Sequence, residues 1–314
     1  MKILVTGGAG FIGSHICDLL TANGHEVRVL DNLSTGSRDN LTISESTGRM
    51  ESIEGDILNK EDCARAADGT TFVCHLAALI SVVESQRNPG RYIDVNVKGT
   101  SNVLEAAREA KVKRFVLSSS AAVYGEHEGT CTESTQAYPV NVYGLSKLMA
   151  EDVCSHFSSR HGLETISLRY FNVFGPRQNV DSPYSAVIPA FNKLMINGER
   201  PVIYGDGEQS RDFVYVRSVA LANMLALQAK GCYLGSVFNV GTGEPLSINN
   251  LFELLAAIND FHQPPINRPA RGCEVRRSLA SIEKAKTELG YKPYGTRPEN
   301  LAITAEHNRR LVQV

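Results

Sequence analysis

Short apolar segments alternate with amphipathic segments through the first 170 residues of the chain. The apolar segments are rich in branched residues, as buried strands are, and the amphipathic segments carry apolar residues at helical spacing. This alternation predicts an α/β fold with a doubly wound parallel sheet, whose ligands bind at the carboxyl ends of the strands. The predicted strands are 3–6, 26–30, 50–54, 72–75, 114–118 and 165–169, and the predicted helices cover about 11–23, 60–67, 91–110 and 142–160.

The pattern changes beyond about Phe171, where proline and glycine turns interrupt short helices. A chain of 314 residues is long enough for two lobes, on a prior of about 150 residues per domain. We therefore expect residues 1–170 to form the first domain and residues 171–314 to form mainly a smaller α/β lobe that closes over it. The turns lie at Gly175-Pro176, Asp206-Gly207, Gly241 to Gly243, Pro264-Pro265 and Arg268-Pro269.

Charge and hydropathy exclude several classes of partner. The formal net charge is −2, and lysine and arginine are spread along the chain, which argues against nucleic acid or an anionic membrane surface. No apolar run reaches the ~18 residues of a membrane span. The first residues lead into a glycine turn instead of a signal-peptide cleavage site, so we expect a cytoplasmic protein.

The seven cysteines are odd in number, irregularly spaced and without a C-x-x-C pair. We expect them to be reduced and mostly to fill space in the core, with neither a disulfide framework nor a zinc site. They are Cys17, Cys63, Cys74, Cys131, Cys154, Cys232 and Cys273.

The first strand is followed at once by a glycine-rich turn and a helix. Gly7, Gly10 and Gly13 give the spacing G-x-x-G-x-x-G, which lets the backbone turn tightly and approach a pyrophosphate at the positive end of the helix. Asp31 ends the second strand, where a carboxylate can bind the adenosine ribose hydroxyls. Because Asp31 would repel a 2′-phosphate, the sequence favours NAD over NADP.

Further polar or small residues follow the next strands and should meet at the same cleft. Asp56, after the third strand, can face the adenine amine, and the small residues that end with Ala78 after the fourth strand let the backbone approach a cofactor. The fifth strand leads into Ser118-Ser119-Ser120, and the hydroxyl of Ser120 is a candidate partner for a substrate hydroxyl.

Tyr143 and Lys147 lie one helical turn apart in the segment Tyr-Gly-Leu-Ser-Lys. Side chains at i and i+4 share a helix face. A tyrosine with a pKa of about 10 is a poor base unless a nearby cation favours its phenolate, and the lysine can supply that cation. The pair is therefore a candidate for acid–base chemistry.

Taken together, the motifs resemble the extended short-chain dehydrogenase/reductase family, and within it the nucleotide-sugar 4-epimerases of the UDP-galactose and UDP-N-acetylglucosamine (UDP-GlcNAc) type. The resemblance implies a Rossmann-type NAD-binding domain over residues 1–170, which carries the catalytic Ser, Tyr and Lys, and a nucleotide-sugar-binding lobe over most of residues 171–314. It rests on residues 6–13, 31–36, 75–78, 118–125, 143–147, 169–177, 204–207 and 211–213.

The resemblance also implies roles for individual residues. Tyr143 is the expected general base, Lys147 is expected to bind the nicotinamide ribose and depress the tyrosine pKa, and Ser120 is expected to hold the sugar 4-hydroxyl. The cofactor-binding residues implied are Gly7, Gly10, Phe11, Ile12, Gly13, Asp31, Asn32, Ser34, Thr35, Gly36, Asp56, Ile57, Leu76, Ala77, Ala78, Asn96, Ser118, Tyr143, Lys147 and Tyr170.

Substrate contacts are expected mainly from the second lobe. Arg211 and Arg271 match phosphate-binding arginines, a role that suits the planar, permanently charged guanidinium. Around Arg271 the family usually reads Arg-x-Gly-Asp, whereas this chain reads Arg-Gly-Cys-Glu. The implied substrate-binding residues are Ser120, Tyr143, Asn172, Val187, Tyr204, Arg211, Arg271 and Ser278.

The implied reaction is epimerisation at C4 of a UDP-sugar through a 4-keto intermediate, with tightly held NAD. Related 4,6-dehydratases carry an Asp-Glu pair at the strand end and UDP-glucuronate decarboxylases carry a Glu there, but this chain has Ala121 and Ala122. A 4-keto reductase, a UDP-glucuronate epimerase or decarboxylase, and a non-catalytic NAD-binding regulator stay open as alternatives.

Ser278 matches a gate position that is a bulky aromatic in epimerases restricted to unacetylated sugars. The small side chain leaves room for a 2-N-acetyl group, so we expect interconversion of UDP-GlcNAc and UDP-N-acetylgalactosamine (UDP-GalNAc), with UDP-Glc/UDP-Gal as a further candidate pair. The resemblance also implies a homodimer that pairs the helices of about 91–110 and 142–160.

Overall fold

The computed structural model describes residues 1–127, 129–179, 186–270 and 276–312. Seven parallel strands form the main sheet, in the order β11-β6-β5-β4-β1-β2-β3, and this confirms the predicted doubly wound α/β fold. In chain order the strands are β1 Lys2–Thr6, β2 Glu26–Asp31, β3 Met50–Glu54, β4 Phe72–His75, β5 Arg114–Ser120, β6 Glu164–Tyr170, β7 Asn172–Phe174, β8 Val202–Tyr204, β9 Ser210–Arg211, β10 Phe213–Tyr215, β11 Leu234–Val240, β12 Leu246–Ser247, β13 Ile266–Arg268 and β14 Arg277–Ser278.

Helices cover both faces of the main sheet, so its central strands are apolar on both sides. In β1, Ile3 and Val5 belong to one buried cluster and Leu4 belongs to the other, as expected for a parallel strand between two helical layers. The helices are α1 Phe11–Ala22, α2 Thr42–Ser46, α3 Lys60–Ala67, α4 Val82–Arg87, α5 Pro89–Ile93, α6 Gly99–Glu109, α7 Val142–His161, α8 Val187–Ile196, α9 Val216–Gln228, α10 Ile248–Ile258, α11 Glu283–Leu289 and α12 Arg297–Val312.

The helix predicted over residues 91–110 is interrupted in the structure. Helix α5 passes into a π-helical turn, Asp94–Lys98, before α6 begins. At this turn the buried Asn96 bonds the backbone of Leu79 and the hydroxyl of Ser146. A wide turn of this kind is set by such tertiary contacts, which hydrophobic periodicity does not report.

The second half of the chain completes the main sheet as well as forming a smaller lobe. Strand β11 pairs in parallel with β6, with Phe238 opposite Leu168, and α9 packs against α1. The smaller lobe contains three short sheets, β10-β7, β13-β8 and β12-β9-β14. Its apolar core joins β7, β8, β10 and β12 to α8, α10 and α12.

Six cysteines lie within the described residues and all are free thiols. Cys17, Cys63, Cys74, Cys131 and Cys154 are buried and Cys232 is exposed, whereas Cys273 lies outside the described residues. In the same residues no helix has the length and apolar character needed to cross a membrane, and no group of His, Cys, Asp or Glu is arranged to hold a metal ion.

Candidate active site

The glycine turn after β1 brings the start of α1 into close contact with neighbouring backbone. Gly7 has φ +69°, and a Cβ there would lie 2.6 Å from the amide nitrogen of Ala77. A Cβ on Gly13 would overlap the carbonyl oxygen of Gly7. Helix α1 begins after Gly10 without a side-chain cap, so its first N–H groups are available to an anion.

A cleft of about 710 Å³ opens at the carboxyl ends of the main-sheet strands. Its volume falls within the range of roughly 300–1,000 Å³ typical of ligand sites. The structure brings most of the predicted cofactor and catalytic residues to this cleft: Gly7, Gly10, Phe11, Ile12, Gly13, Asp31, Asn32, Ser34, Thr35, Asp56, Ile57, Leu76, Ala77, Ala78, Ser118, Ser120, Tyr143, Lys147 and Tyr170 line it.

Two predicted cofactor residues do not line this cleft. Gly36 packs against the backbone of Ala9, where a Cβ would lie 2.8 Å from the carbonyl carbon. Asn96 is 2% exposed and fixes the Leu79 backbone beside the cleft through two hydrogen bonds, of 2.8 and 2.9 Å. Asn96 thus supports the cleft wall from behind, whereas Gly36 packs against the glycine turn.

Asp31 also organises the glycine turn. Its carboxylate accepts hydrogen bonds from the amides of Ala9 and Leu33, both at 2.9 Å. The neighbouring Asn32 donates to Asp56 at 2.9 Å. The two predicted carboxylates therefore lie on adjoining strand ends, at one end of the cleft.

The catalytic candidates lie where β5 meets α7. Asn141 caps α7 by accepting from the Gly144 amide at 2.8 Å, so Tyr143 is in the first turn of that helix. Lys147, one turn on, donates from Nζ to the Ser118 carbonyl at 2.9 Å. Ser120 ends β5 and caps the following 3₁₀ turn through the Ala122 amide at 3.2 Å.

Burial alters the acid–base properties of this group. Burial raises the pKa of Tyr143, and a hydrogen bond with Ser120 partly offsets the rise. Burial lowers the pKa of Lys147 to about 8, and the charge of Glu151 opposes that change. The pKa of Tyr143 therefore moves in the direction opposite to the expected depression by Lys147, because desolvation outweighs the other effects on the phenol and the ammonium is bonded to Ser118.

The 3₁₀ turn that follows β5 carries no acid. It consists of Ala121–Val123, and helix α7 approaches it closely, since a Cβ on Gly144 would lie 2.5 Å from the Ala122 carbonyl oxygen. The turn that directly follows Ser120 therefore supplies no carboxylate to the strand end where Tyr143 and Lys147 lie.

A second cavity of about 560 Å³ lies in the smaller lobe. Four predicted substrate residues line it, Asn172, Val187, Tyr204 and Arg211, and Val173 lines both cavities. The nucleotide-sugar residues predicted from the second half of the chain are thus brought next to the cofactor residues.

The structure does not place two of the predicted substrate residues, Ser278 and Arg271, in the lining of either cavity. Ser278 lies on β14 opposite Arg211 of β9, and its carbonyl accepts the Asp212 amide at 2.8 Å, but it is not in the lining described for either cavity. Arg271 lies outside the described residues.

Sequence reasoning missed several residues at the two cavities. Gln178 lines the first cleft and donates to the Val173 carbonyl at 3.2 Å. The buried carboxylate of Asp212 accepts hydrogen bonds from the amides of Thr242 at 2.8 Å and Gly243 at 2.9 Å, so it fixes the loop beside Arg211. Gln178 directly follows the motif 169–177 and Asp212 lies within the motif 211–213, so their positions in the sequence are the available signal.

The residues of the first cleft fit NAD. The uncapped start of α1 offers N–H groups to a pyrophosphate, Asp31 stands at the end of the second strand, and the cleft runs on to Lys147 and Tyr143. These features occur together in one cavity at the carboxyl edge of the sheet, where ligands of this fold bind.

The sequence is similar to a known protein family over most of its length. Residues 3–241 match the model of the NAD dependent epimerase/dehydratase family. A putative UDP-glucose 4-epimerase of Methanocaldococcus jannaschii is 40% identical over 294 residues, and the match covers 93% of each chain.

Solved structures share the fold over almost the whole length. The UDP-glucose 4-epimerase of Thermotoga maritima with UDP-glucose is 39% identical with a TM-score of 0.92, covering 99% of this chain and 100% of that chain. The UDP-N-acetylglucosamine 4-epimerase of Methanobrevibacter ruminantium M1, in complex with UDP-N-acetylmuramic acid, is 37% identical with a TM-score of 0.93, covering 100% of this chain and 99% of that chain.

Proposed function

We propose that this chain, which belongs to the NAD dependent epimerase/dehydratase family, interconverts UDP-GlcNAc and UDP-GalNAc by epimerisation at C4. Membership confirms the resemblance to extended short-chain dehydrogenases/reductases of the nucleotide-sugar epimerase type. The chain is an NAD-dependent isomerase, and its activity is that of a UDP-sugar 4-epimerase. The acetylated sugar pair and the residue roles below are our proposal.

The first cleft is the proposed NAD site. The α1 N-terminus after Gly10 would hold the pyrophosphate, Asp31 would bind the adenosine ribose, and Lys147 would bind the nicotinamide ribose. When bound, NAD supplies a hydride acceptor and donor for the sugar C4.

Tyr143 is the proposed general base. Its phenolate would take the proton from the sugar 4-hydroxyl and later return it, while Ser120 would hold that hydroxyl by a hydrogen bond. Because burial raises the pKa of the free phenol, the nearby Lys147 ammonium has to stay protonated to favour the phenolate when substrate is present.

The second cavity is the proposed UDP site. Arg211 and Asn172 would bind the phosphates and Tyr204 would lie beside the uridine. A firm hold on the nucleotide leaves the sugar free to present its other face to the cofactor between oxidation and reduction. The substrate is thereby inverted without leaving the enzyme.

One observation supports epimerisation over dehydration and decarboxylation. Ser120, Tyr143 and Lys147 meet at a strand end that continues as Ala121 and Ala122, without a carboxylate. Elimination of water or loss of a carboxyl group at C5 needs further acid–base groups, whereas oxidation and return at C4 need one base. The acid-free strand end therefore supports the proposed epimerisation.

Support for the acetylated pair comes from Ser278. Its small side chain stands next to Arg211 on the neighbouring strand, where a bulky aromatic residue would narrow the space beside the second cavity. The smaller sugars of UDP-Glc and UDP-Gal would also fit this space, so the unacetylated pair is a second candidate substrate pair.

The proposal is tested with purified protein and a panel of UDP-, CDP-, GDP- and dTDP-sugars, with the products separated by stereochemistry. We expect co-purified NAD, turnover without added cofactor, and the highest kcat/KM for UDP-GlcNAc and UDP-GalNAc. Consumption of added NAD(P)H would identify a 4-keto reductase. Turnover of UDP-glucuronate alone would identify a UDP-glucuronate epimerase or decarboxylase. Bound NAD without turnover of any sugar would identify a non-catalytic regulator.

Two further expectations belong to this proposal. We propose that residues 1–170 form mainly the NAD-binding domain and residues 171–314 mainly the nucleotide-sugar lobe, with β11 and α9 returning to the main sheet. We also propose a homodimer through the helices of 91–110 and 142–160, which light scattering at several concentrations would test.

A further inference from the structure

Helix α7 presents a third polar side chain in line with the two catalytic candidates. Tyr143, Lys147 and Glu151 are spaced four residues apart, so they form one stripe along the helix. Lys147 donates to the Ser118 carbonyl, and Glu151 accepts from the Ser119 hydroxyl. The same strand end is therefore tied to α7 at successive turns.

Arg169 joins this contact from the neighbouring strand. Arg169 and Ser119 are opposite each other in the β5–β6 register. The guanidinium donates to Glu151 from Nε to Oε1 at 2.9 Å and from Nη2 to Oε2 at 2.6 Å. Glu151 thus binds two adjacent strands to α7 in a bidentate geometry.

The pair is withdrawn from solvent. The side chains of Arg169 and Glu151 are 7% and 5% exposed. A buried ion pair of this kind gives little net stability compared with apolar residues of the same volume. Its presence beneath the catalytic candidates therefore calls for a reason other than stability.

The contact continues toward the second lobe. The Arg169 guanidinium lies 4.7 Å from the ring centroid of Tyr124, whose hydroxyl donates to Asn239 at 2.6 Å. Asn239 donates in turn to the carbonyl oxygens of Cys131 at 3.0 Å and Ser281 at 3.2 Å. The chain of contacts reaches the segment that follows Ser278.

We propose that Glu151 and Arg169 are positioning residues for the reaction: they fix the end of β5 against α7, and so fix Ser120, Tyr143 and Lys147 relative to one another. Neither residue touches substrate in this account. The inference rests on the proposed function, because it assigns Ser120, Tyr143 and Lys147 their roles in epimerisation.

Glu151 also compensates the charge of Lys147. The groups that face the ammonium are Glu151 from its own helix, the Ser118 carbonyl from β5, and His75 from β4, whose pKa the lysine charge lowers. Glu151 is the one group among these that raises the pKa of Lys147. Removing its charge should therefore make the lysine easier to deprotonate.

The first test compares Glu151→Gln with Glu164→Gln. Glu164 pairs with Arg114 on the same two strands, at their opposite ends, with the same 2.6 Å contact from Nη2 to Oε2. We expect Glu151→Gln to lower kcat about tenfold or more, because misplaced catalytic groups are costly, and to leave KM for the UDP-sugar within about twofold. The basic limb of its kcat profile should move about one pH unit lower.

Glu164→Gln should keep kcat within about twofold of the natural protein, even if it lowers Tm by as much as Glu151→Gln does. The inference is overturned by equal kcat losses in the two variants, by an unchanged kcat in Glu151→Gln, or by an effect confined to KM.

A second variant serves if Glu151→Gln does not fold. Glu151→Leu with Arg169→Met replaces the buried pair by apolar side chains of similar size, which commonly preserves or raises stability. We expect a Tm close to that of the natural protein together with the same loss of kcat. Full activity in this folded variant would show that the pair has no positioning role.

A substrate-free measurement separates this inference from the proposed function. We expect the unfolding constant of Glu151→Gln, relative to the natural protein, to fall about tenfold between pH 6.5 and 9, because the folded variant releases the Lys147 proton at lower pH. Glu164→Gln should show no such change. Absence of turnover in the natural protein would refute the proposed function, whereas parallel pH profiles of unfolding would refute the Glu151 inference.

Discussion

Lys147 Nζ lies 2.9 Å from the carbonyl oxygen of Ser118, so the ammonium of helix α7 is fixed by strand β5 rather than by the phenol one turn before it. Ser120 on the same strand lies close enough to Tyr143 to oppose the rise in its pKa that burial causes. The two residues that look like a pair in the sequence therefore meet different residues of the same strand end, Lys147 at Ser118 and Tyr143 at Ser120.

Replacing Tyr143 by Phe should stop epimerisation while NAD stays bound. Loss of a general base costs about 10²- to 10⁴-fold in rate, and the glycine turn and Asp31 are untouched. Turnover and the NAD released on denaturation are measured on the same preparation. Tyr138→Phe, at a tyrosine that is 74% exposed, is the matched control, and surviving activity in Tyr143→Phe would place the base elsewhere.

Gly13→Ala should reduce NAD retention and stability together. A Cβ at this position overlaps the Gly7 carbonyl oxygen, so the start of α1 has to shift away from the turn that would hold the pyrophosphate. Bound NAD and Tm are the two measurements. Gly129→Ala, whose Cβ would come no nearer than 3.5 Å to the His127 ring, should change neither, and normal NAD content in Gly13→Ala would contradict the proposed cofactor site.

Ser278→Tyr should abolish turnover of UDP-GlcNAc and UDP-GalNAc and spare UDP-Glc and UDP-Gal. The larger side chain would enter the space beside Arg211, opposite which Ser278 lies. Measurement of kcat/KM for each of the four UDP-sugars tests whether the side chain at position 278 limits the size of the sugar. Ser278→Ala keeps the space open and should retain both activities, and equal loss of both pairs in Ser278→Tyr would remove the support for a gate.

The protein should lose stability in mild acid, in part through His75. This ring is 2% exposed, and burial together with the Lys147 charge lowers its pKa from 6.5 to about 3. Between these two pH values the unfolded chain holds a proton on this ring and the folded chain does not. The contribution of His75 to the free energy of unfolding is therefore complete above pH 6.5 and is lost as the pH drops toward 3. The loss from this ring is about 2 kcal/mol at pH 5.

Urea unfolding between pH 4.5 and 6.5 measures the effect. The free energy of unfolding of the natural protein should rise with pH more steeply than that of His75→Gln, by up to about 1.4 kcal/mol per pH unit. His15, whose pKa burial lowers to about 4, adds a similar slope to both proteins. Parallel curves would show that His75 takes up its proton as readily in the folded state as in the unfolded state.

Local patterns were sufficient for much of the fold. The predicted strands 50–54 and 72–75 agree with β3 and β4 residue for residue, and the others differ at their ends by one or two positions. Prediction from the sequence was less complete where contacts between distant residues determine the local conformation or the position of a strand. The π turn at Asn96 depends on contacts with Leu79 and Ser146, and β11 joins the main sheet from the half of the chain in which a separate lobe was expected.

The sequence by itself determined the chemistry available to this protein: the glycine turn, Asp31, Ser120, Tyr143 and Lys147 are recognisable because each follows a strand or begins a helix, and such local signals survive in a linear pattern. Only the tertiary structure decided how these groups are held. Glu151 and Arg169 lie 18 positions apart and meet because β5, β6 and α7 pack together, and the same packing desolvates Tyr143 enough to raise its pKa. Burial and contact between distant residues exist only after the chain has folded, so no local pattern reports them.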